Sequence, residues 1–400
     1  MTPAHQRSMV LAAGVCSLIL AGGIARFAYT PLLPMMQNQA GLGVAEGGWL
    51  AAINYIGYLS GAFAASRISD MVLKDRLYRI GMVVAVVSTL MMGLTTNIYI
   101  WAFSRLIAGM STAAGMLLSA GLVLNWLMRH DFRSELGVHF AGIGLGMAGA
   151  AGAVELMNLF ALDWSAQWLV FSGLALLLLY PSLAWLPPPD GAAVSRSGQA
   201  LVDRPPSVLF MRVFMVFYFC AGFGYVVTAT FVVAIVDHLP GLHGRGALVF
   251  LAAGLGGAPA AILWDQIARR TGQLLALALA SFLQIGGIIL PALDNSLTAS
   301  LVGAVLFGAT MVGIVSLALT MAGRFYPTTP AKMMGKMTLA YGVAQVIAPA
   351  LVGQLARHFG GYMIGLSVAA ALMTLGAALA VLLYFIESRE TEARWRASVK

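Results

Sequence analysis

Three ionisable side chains lie deep inside apolar stretches of this chain: Arg26, Arg105 and Glu155. Arg26 falls in the run from Met9 to Leu33, within the string GGIARFAYTPLLPMM that spans Gly22 to Met36. A cation at the middle of a membrane helix costs roughly 2.5–3.5 kcal/mol on insertion scales. It persists where it faces a polar cavity, a counter-charge or an anionic ligand, or where its stem snorkels to the interface. The chemistry open to the trio is capture of an anionic group by an arginine and proton exchange by the carboxyl group. The structural alternatives are a snorkelling Arg26 and a static Arg–Glu pair that pins helices together.

The elements that hold these residues must be membrane helices. Of 400 residues, 60% are hydrophobic and only 10% are charged, with a mean hydropathy of +0.87. Soluble domains carry about 25% charged residues, so this chain cannot coat a water-facing surface and the bilayer is its solvent. The net charge of +8 reads as Lys and Arg retained in cytoplasmic loops, not as a nucleic-acid surface. There is no Cys/His metal spacing, and Cys16 and Cys220 sit in apolar helices, which argues against a disulfide framework. The first apolar run is too long for the core of a cleavable signal peptide. No metal, cofactor or nucleic-acid partner is expected.

Segments of about 20 apolar residues predict twelve helices, at 9–34, 47–66, 79–97, 99–126, 135–158, 165–186, 208–236, 246–265, 272–292, 297–323, 333–356 and 361–386. The break between the third and fourth rests only on Thr95-Thr96-Asn97. Basic residues collect in every second loop from the N-terminus, whereas the other loops hold only Arg245 and Arg357. That asymmetry predicts cytoplasmic termini. The polar stretch PPPDGAAVSRSGQALVDRPPS from Pro187 to Ser207 reads as a cytoplasmic linker. The predicted division is a six-helix bundle at 1–186, the linker at 187–207, a second bundle at 208–386 and a cytoplasmic tail at 387–400. The halves echo each other at an offset of about 200 residues: Ala21-Gly22 and Thr30 match Ala221-Gly222 and Thr230, and Gly142 matches Gly342. A repeated bundle is the design of rocking, alternating-access transporters.

This organisation resembles the major facilitator superfamily. The strings RFAYTPLLPMM (Arg26 to Met36), GFGYVVTATFV (Gly222 to Val232) and YGVAQVIAPALVG (Tyr341 to Gly353) are similar to its YbfB-type branch. The loop after the second helix, SGAFAASRISDMVLKDRLYRIG, departs from the superfamily's usual G-x-x-x-D-R-x-G-R spacing. The resemblance implies an all-α membrane protein of two pseudo-symmetric six-helix bundles. It also implies a central cavity lined by the first, fourth, seventh and tenth helices, with contributions from the second, fifth, eighth and eleventh.

On that lining fall Tyr29, Asn54, Tyr55, Tyr58, Tyr225, Thr228, Thr230, Tyr341 and Gln345. A ligand pocket needs apolar walls and a few orienting polar groups, and tyrosine supplies both; interhelical hydrogen bonding is the alternative. The substrate-binding set is thus Arg26, Tyr29, Tyr55, Arg105, Tyr225, Thr228, Tyr341 and Gln345, with Glu155 for proton coupling and Asp70, Arg76 and Asp265 for gating between halves. His139 reads as a satisfied interfacial histidine. The run GIGLGMAGAAG from Gly142 to Gly152 reads as a close-packed or flexing seam; lacking a preceding strand, its G-x-G strings are not a nucleotide fingerprint. No nucleophile–base pair or metal set supports a membrane enzyme. The expected protein is a monomeric secondary transporter in a bacterial inner membrane. It is expected to move a small molecule, with a tilt toward organic anions, and to be driven by protons. Efflux of amphipathic compounds is the alternative, and a non-transporting sensor or scaffold a remote one.

Overall fold

A computed structural model describes residues 3–68, 70–130, 132, 136–189, 205–325 and 330–398. The chain begins with α1 (Pro3–Leu18), a π-helical segment (Ile19–Phe27) and α2 (Tyr29–Gln39), which together form one long span. Then follow α3 (Val44–Arg67), α4 (Met71–Gly93) and α5 (Ile98–Ala113); α5 passes through a second π segment (Ala114–Leu118) into α6 (Ser119–Arg129). The first half closes with α7 (Leu136–Leu159) and α8 (Trp164–Ala184). The second half comprises α9 (Val208–Asp237), α10 (Gly246–Gly257), α11 (Ala260–Thr271), α12 (Gln273–Leu293), α13 (Leu297–Phe325), α14 (Pro330–Phe359) and α15 (Met363–Ser398). No strand occurs among the described residues.

Ten of these helices are long and apolar enough to cross a membrane, and the bent pair α10–α11 gives an eleventh. The remaining predicted span, α3, is 24 residues long but carries Asn54, Tyr55 and Tyr58, which lower its hydropathy. The eighth span bends by 44° at Pro259, whose ring removes a donor and clashes with the preceding turn. Short polar caps end the loops as expected for helix N-termini. Asn97 Oδ1 accepts the Tyr99 and Ile100 amides, at 2.9 and 3.4 Å, which fixes the break between the third and fourth spans. Asp163 and Ser207 do the same for α8 and α9. The last helix runs on to Ser398 through most of the expected tail, while residues 190–204 of the linker lie outside the described residues.

Glycines set how closely the helices approach, because a residue without a Cβ lets backbones touch. The Gly142–Gly152 run divides between two faces. A Cβ at Gly142 or Gly146 would meet Leu18 and Val15, or Gly23, of the first span. One at Gly144 would meet the backbone of Gly257 and Ala258 in the other half, and Gly254 opposes Ala148 in return. A second crossing sets Gly48 of α3 against Pro349 and Gly353 of α14. The halves therefore meet along α7–α10 and α3–α14.

His139 departs from its expected role. It is fully buried, packed on Gly14 and against the edge of the Phe140 ring, and neither ring nitrogen has a partner.

Candidate functional site

The π segment builds the centre of the site. A π turn is one residue wider than an α turn, so a carbonyl loses its usual amide and can accept from elsewhere. The Ala28 amide donates to the Gly23 carbonyl at 2.9 Å, five residues back. The carbonyls of Ala21 and Ala25, both in this segment, accept from other helices. Thr112 Oγ1 donates to Ala21 at 2.9 Å and an Arg105 terminal nitrogen donates to Ala25 at 3.0 Å. The same segment carries Arg26, and the widened turn sets the direction in which its side chain leaves the helix.

Arg26 is 7% exposed. Its guanidinium carbon lies 4.5 Å from the Tyr55 ring centroid, 5.2 Å from Tyr58 and 5.3 Å from Phe27. Rings at these distances hold a cation through their electron-rich faces. One terminal nitrogen donates to the Tyr225 hydroxyl of the second half at 3.2 Å, and Nε is buried without an acceptor. No carboxylate among the described residues pairs with Arg26 or Arg105. Arg26 and Tyr225 are 199 residues apart, close to the repeat offset. The same holds for Thr30, whose hydroxyl donates to the Ala229 carbonyl at 2.6 Å. Contacts between near-equivalent positions of two repeats lie close to the axis that relates them, so Arg26 sits at the centre of the two-half assembly.

The second half contributes a run of aromatic rings. Tyr225 is near-parallel to Phe307, with centroids 6.2 Å apart and planes at 10°. It is 5.8 Å and 29° from Tyr341, which in turn contacts Tyr218 at 4.6 Å. Gln345, one turn beyond Tyr341 on α14, is buried and its Oε1 has no partner. Arg105 is the second cation near Arg26 and Tyr55. Its guanidinium stacks over Tyr29 at 4.5 Å, and the Tyr29 hydroxyl donates to the Gly47 carbonyl at 2.9 Å. Asn54 ties the α3 face to α5 by donating to the Arg105 carbonyl at 2.9 Å.

The structure thus brings together Arg26, Tyr29, Tyr55, Arg105, Tyr225 and Tyr341, with Gln345 buried one turn past Tyr341 on α14. Thr228 is buried but turns its hydroxyl back on the Gly224 carbonyl of its own helix. Glu155 does not join the two arginines, contrary to expectation. It is half-buried where α7 meets the start of α10, and its electrostatic neighbours are the Leu248 amide, Arg245 and Asp237. Asp237 caps α10 by accepting the Gly246 amide at 2.9 Å. Among the described residues, the expected gate contacts between halves are not made by Asp70, Arg76 or Asp265 either. Asp70 caps α4 through the Val72 amide, Arg76 is exposed, and Asp265 pairs with Arg269 one turn along its own helix. Arg79 binds Asp75 and the Leu183 and Leu186 carbonyls, so it anchors α4 to the end of α8 within the first half. Tyr218 and Phe307 escaped the sequence reading. Tyr218 precedes Tyr225 by seven residues, two turns on the same face, which is a usable signal; Phe307 has none. A separate cavity of about 390 Å³, lined by Gln6, Asn125, Trp126, His130 and Trp185, lies toward the start of α1 and away from Arg26.

Comparison with known proteins follows this geometry. A family model described as "Uncharacterised MFS-type transporter YbfB" matches residues 18–381. A search of curated proteins finds no match. Among solved structures, a point mutant of the nucleoside transporter NupG is similar at a TM-score of 0.73 and 14% identity, covering 95% of this chain and 100% of that one. A second crystal structure of NupG matches at a TM-score of 0.69 and 13% identity, over 95% and 98% of the two chains.

Proposed function

This chain belongs to the family of YbfB-type MFS transporters, and from that premise we propose that it moves a small organic anion by alternating access, driven by protons. It is a multi-pass membrane transporter and not an enzyme. One observation supports the anionic substrate above others. Arg26 is a buried cation with no carboxylate partner among the described residues, held by rings and bonded to Tyr225 across the two halves. An uncompensated charge in a low-dielectric site favours an anionic guest. Because Tyr225 occupies one guanidinium nitrogen, an arriving carboxylate would compete for it, and binding would loosen the contact between the halves. Arg105, anchored to Ala25 and Tyr29, positions the segment that carries Arg26.

The test is flux into proteoliposomes with a panel of organic acids, lipophilic cations and nucleosides, with and without an imposed pH gradient. Flux of an acid that the gradient accelerates is the expected result. Flux confined to lipophilic cations would replace the anion reading with efflux of amphipathic compounds. Flux confined to nucleosides would replace it with the activity named for NupG.

Glu155 is the proposed proton carrier, acting at the α7–α10 seam and not beside the arginines. One of its oxygens is buried without a partner, and the seam lies between the halves. Glu155→Gln should abolish pH-driven net flux while substrate exchange continues. Unaltered pH dependence in that variant would remove Glu155 from the coupling.

The orientation rests on the loop charges. A cysteine placed at Asn295 should react with an impermeant thiol reagent from outside the cell, and one at Thr271 only after the cytoplasmic face is opened. Both positions are exposed. Reversed labelling at the two sites would invert the topology.

A further inference from the structure

We infer that the substrate is a planar aromatic carboxylate carrying a polar ring substituent, an assignment that rests on reading Arg26 as the partner of the anion. Aromatic rings flank the guanidinium. Tyr55 lies 4.5 Å from its carbon and Tyr58 5.2 Å. Its free donor is Nε, which lacks an acceptor, on a fork whose terminal nitrogen is 3.2 Å from the Tyr225 hydroxyl. A carboxylate fits that fork as a bidentate partner.

The wall beyond this fork is aromatic. Tyr225 lies between Phe307, at 6.2 Å and 10°, and Tyr341, at 5.8 Å and 29°. A carboxylate conjugated to a ring is coplanar with it. Once the carboxylate lies in the guanidinium plane, the attached ring is carried along as a rigid flat body toward these tyrosine faces. A saturated acid of the same size is puckered and offers no π face. Each ring contact is worth about a 2–10-fold gain in affinity over area burial alone. The far end of this wall is polar: Gln345, one turn past Tyr341, keeps a buried Oε1 with no donor. A hydroxyl on the ring opposite the carboxylate would satisfy it.

The experiment uses the purified full chain in detergent and calorimetric titration with three probes: 4-hydroxybenzoate, trans-4-hydroxycyclohexanecarboxylate and 4-hydroxybenzamide. The aromatic acid should bind at least tenfold more tightly than its saturated analogue, and the neutral amide should show no binding. Equal affinity for the two acids would overturn the aromatic assignment and leave the anion reading standing. An amide that binds as well as the aromatic acid would overturn both. Failure of all three to bind would overturn the aromatic assignment, with the anion reading then decided by the wider acid panel. Phe307→Leu gives a second handle: it should weaken binding of the aromatic acid more than that of the saturated one and so erase the preference. A preference that survives the loss of this ring would also count against the assignment.

Discussion

Arg26→Lys, measured on folded and purified protein, is expected to weaken substrate binding about 10–150-fold although the charge is kept. The range corresponds to the loss of one charge-assisted hydrogen bond, roughly 1.5–3 kcal/mol. Arginine presents five donors in a planar fork, whereas lysine is a compact point charge. At this position the difference is geometric in two ways. The guanidinium carbon lies 4.5 Å and 5.2 Å from the Tyr55 and Tyr58 ring centroids, so aromatic contacts hold it without a carboxylate. The fork also reaches Tyr225 of the second half while leaving Nε unpartnered. An ammonium group could keep a cation–π contact but could not offer two parallel N–H groups to one carboxylate. A purely structural Arg26 would behave differently, with a lower melting temperature and near-normal affinity in the molecules that fold. Affinity and melting temperature read on the same preparation therefore separate the two roles.

Much of this site was legible before any coordinates, for one reason. A cation inside an apolar run is expensive, so Arg26 and Arg105 stand out in the sequence, and of the tyrosines around them only Tyr29 shares a span with Arg26. The repeat offset of about 200 residues was also legible, and it becomes physical in the contacts of Arg26 with Tyr225 and of Thr30 with Ala229. Glu155 shows where the reading fails. Counting residues from estimated helix ends gives only a rough depth. Gly146 of α7 packs on Gly23 beside Arg26, so Glu155, nine residues further on, lies roughly 13 Å beyond it along the helix, at the start of α10. The π segment over Ile19–Phe27 has no compositional signature, so neither the aim of Arg26 nor the free carbonyl held by Arg105 could be foreseen. Phe307 is one apolar residue in an apolar helix, and only packing distinguishes it. The gate charges misled because acidic residues near helix ends also cap and pair locally, as Asp70 and Asp265 do.

The second large effect is expected at the seam between the halves. Gly144→Val should reduce transport to background while leaving each half folded. The collision is with the main chain of Gly257 and Ala258, which cannot rotate away as a side chain would. Local helix stability is not the cause, because valine is a better helix former than glycine. Overpacking of this kind costs roughly 1–3 kcal/mol. Since only the conformation that closes α7 on α10 bears it, the ratio of the two conformations should shift by about 5–150-fold. The reporter is a cysteine placed at Ala229, with Cys16 and Cys220 replaced by serine. Ala229 is 1% exposed in the closed arrangement, and its carbonyl is bonded to Thr30 of the other half. Labelling there should accelerate at least fivefold in the Gly144→Val background. Gly149→Val is the control on the same helix, because a Cβ at Gly149 meets nothing within 4 Å; it should label and transport as the parent does. Normal flux in Gly144→Val would show that this seam does not close during the cycle. Slow labelling together with lost flux would mean that the substitution blocks transport without separating the halves.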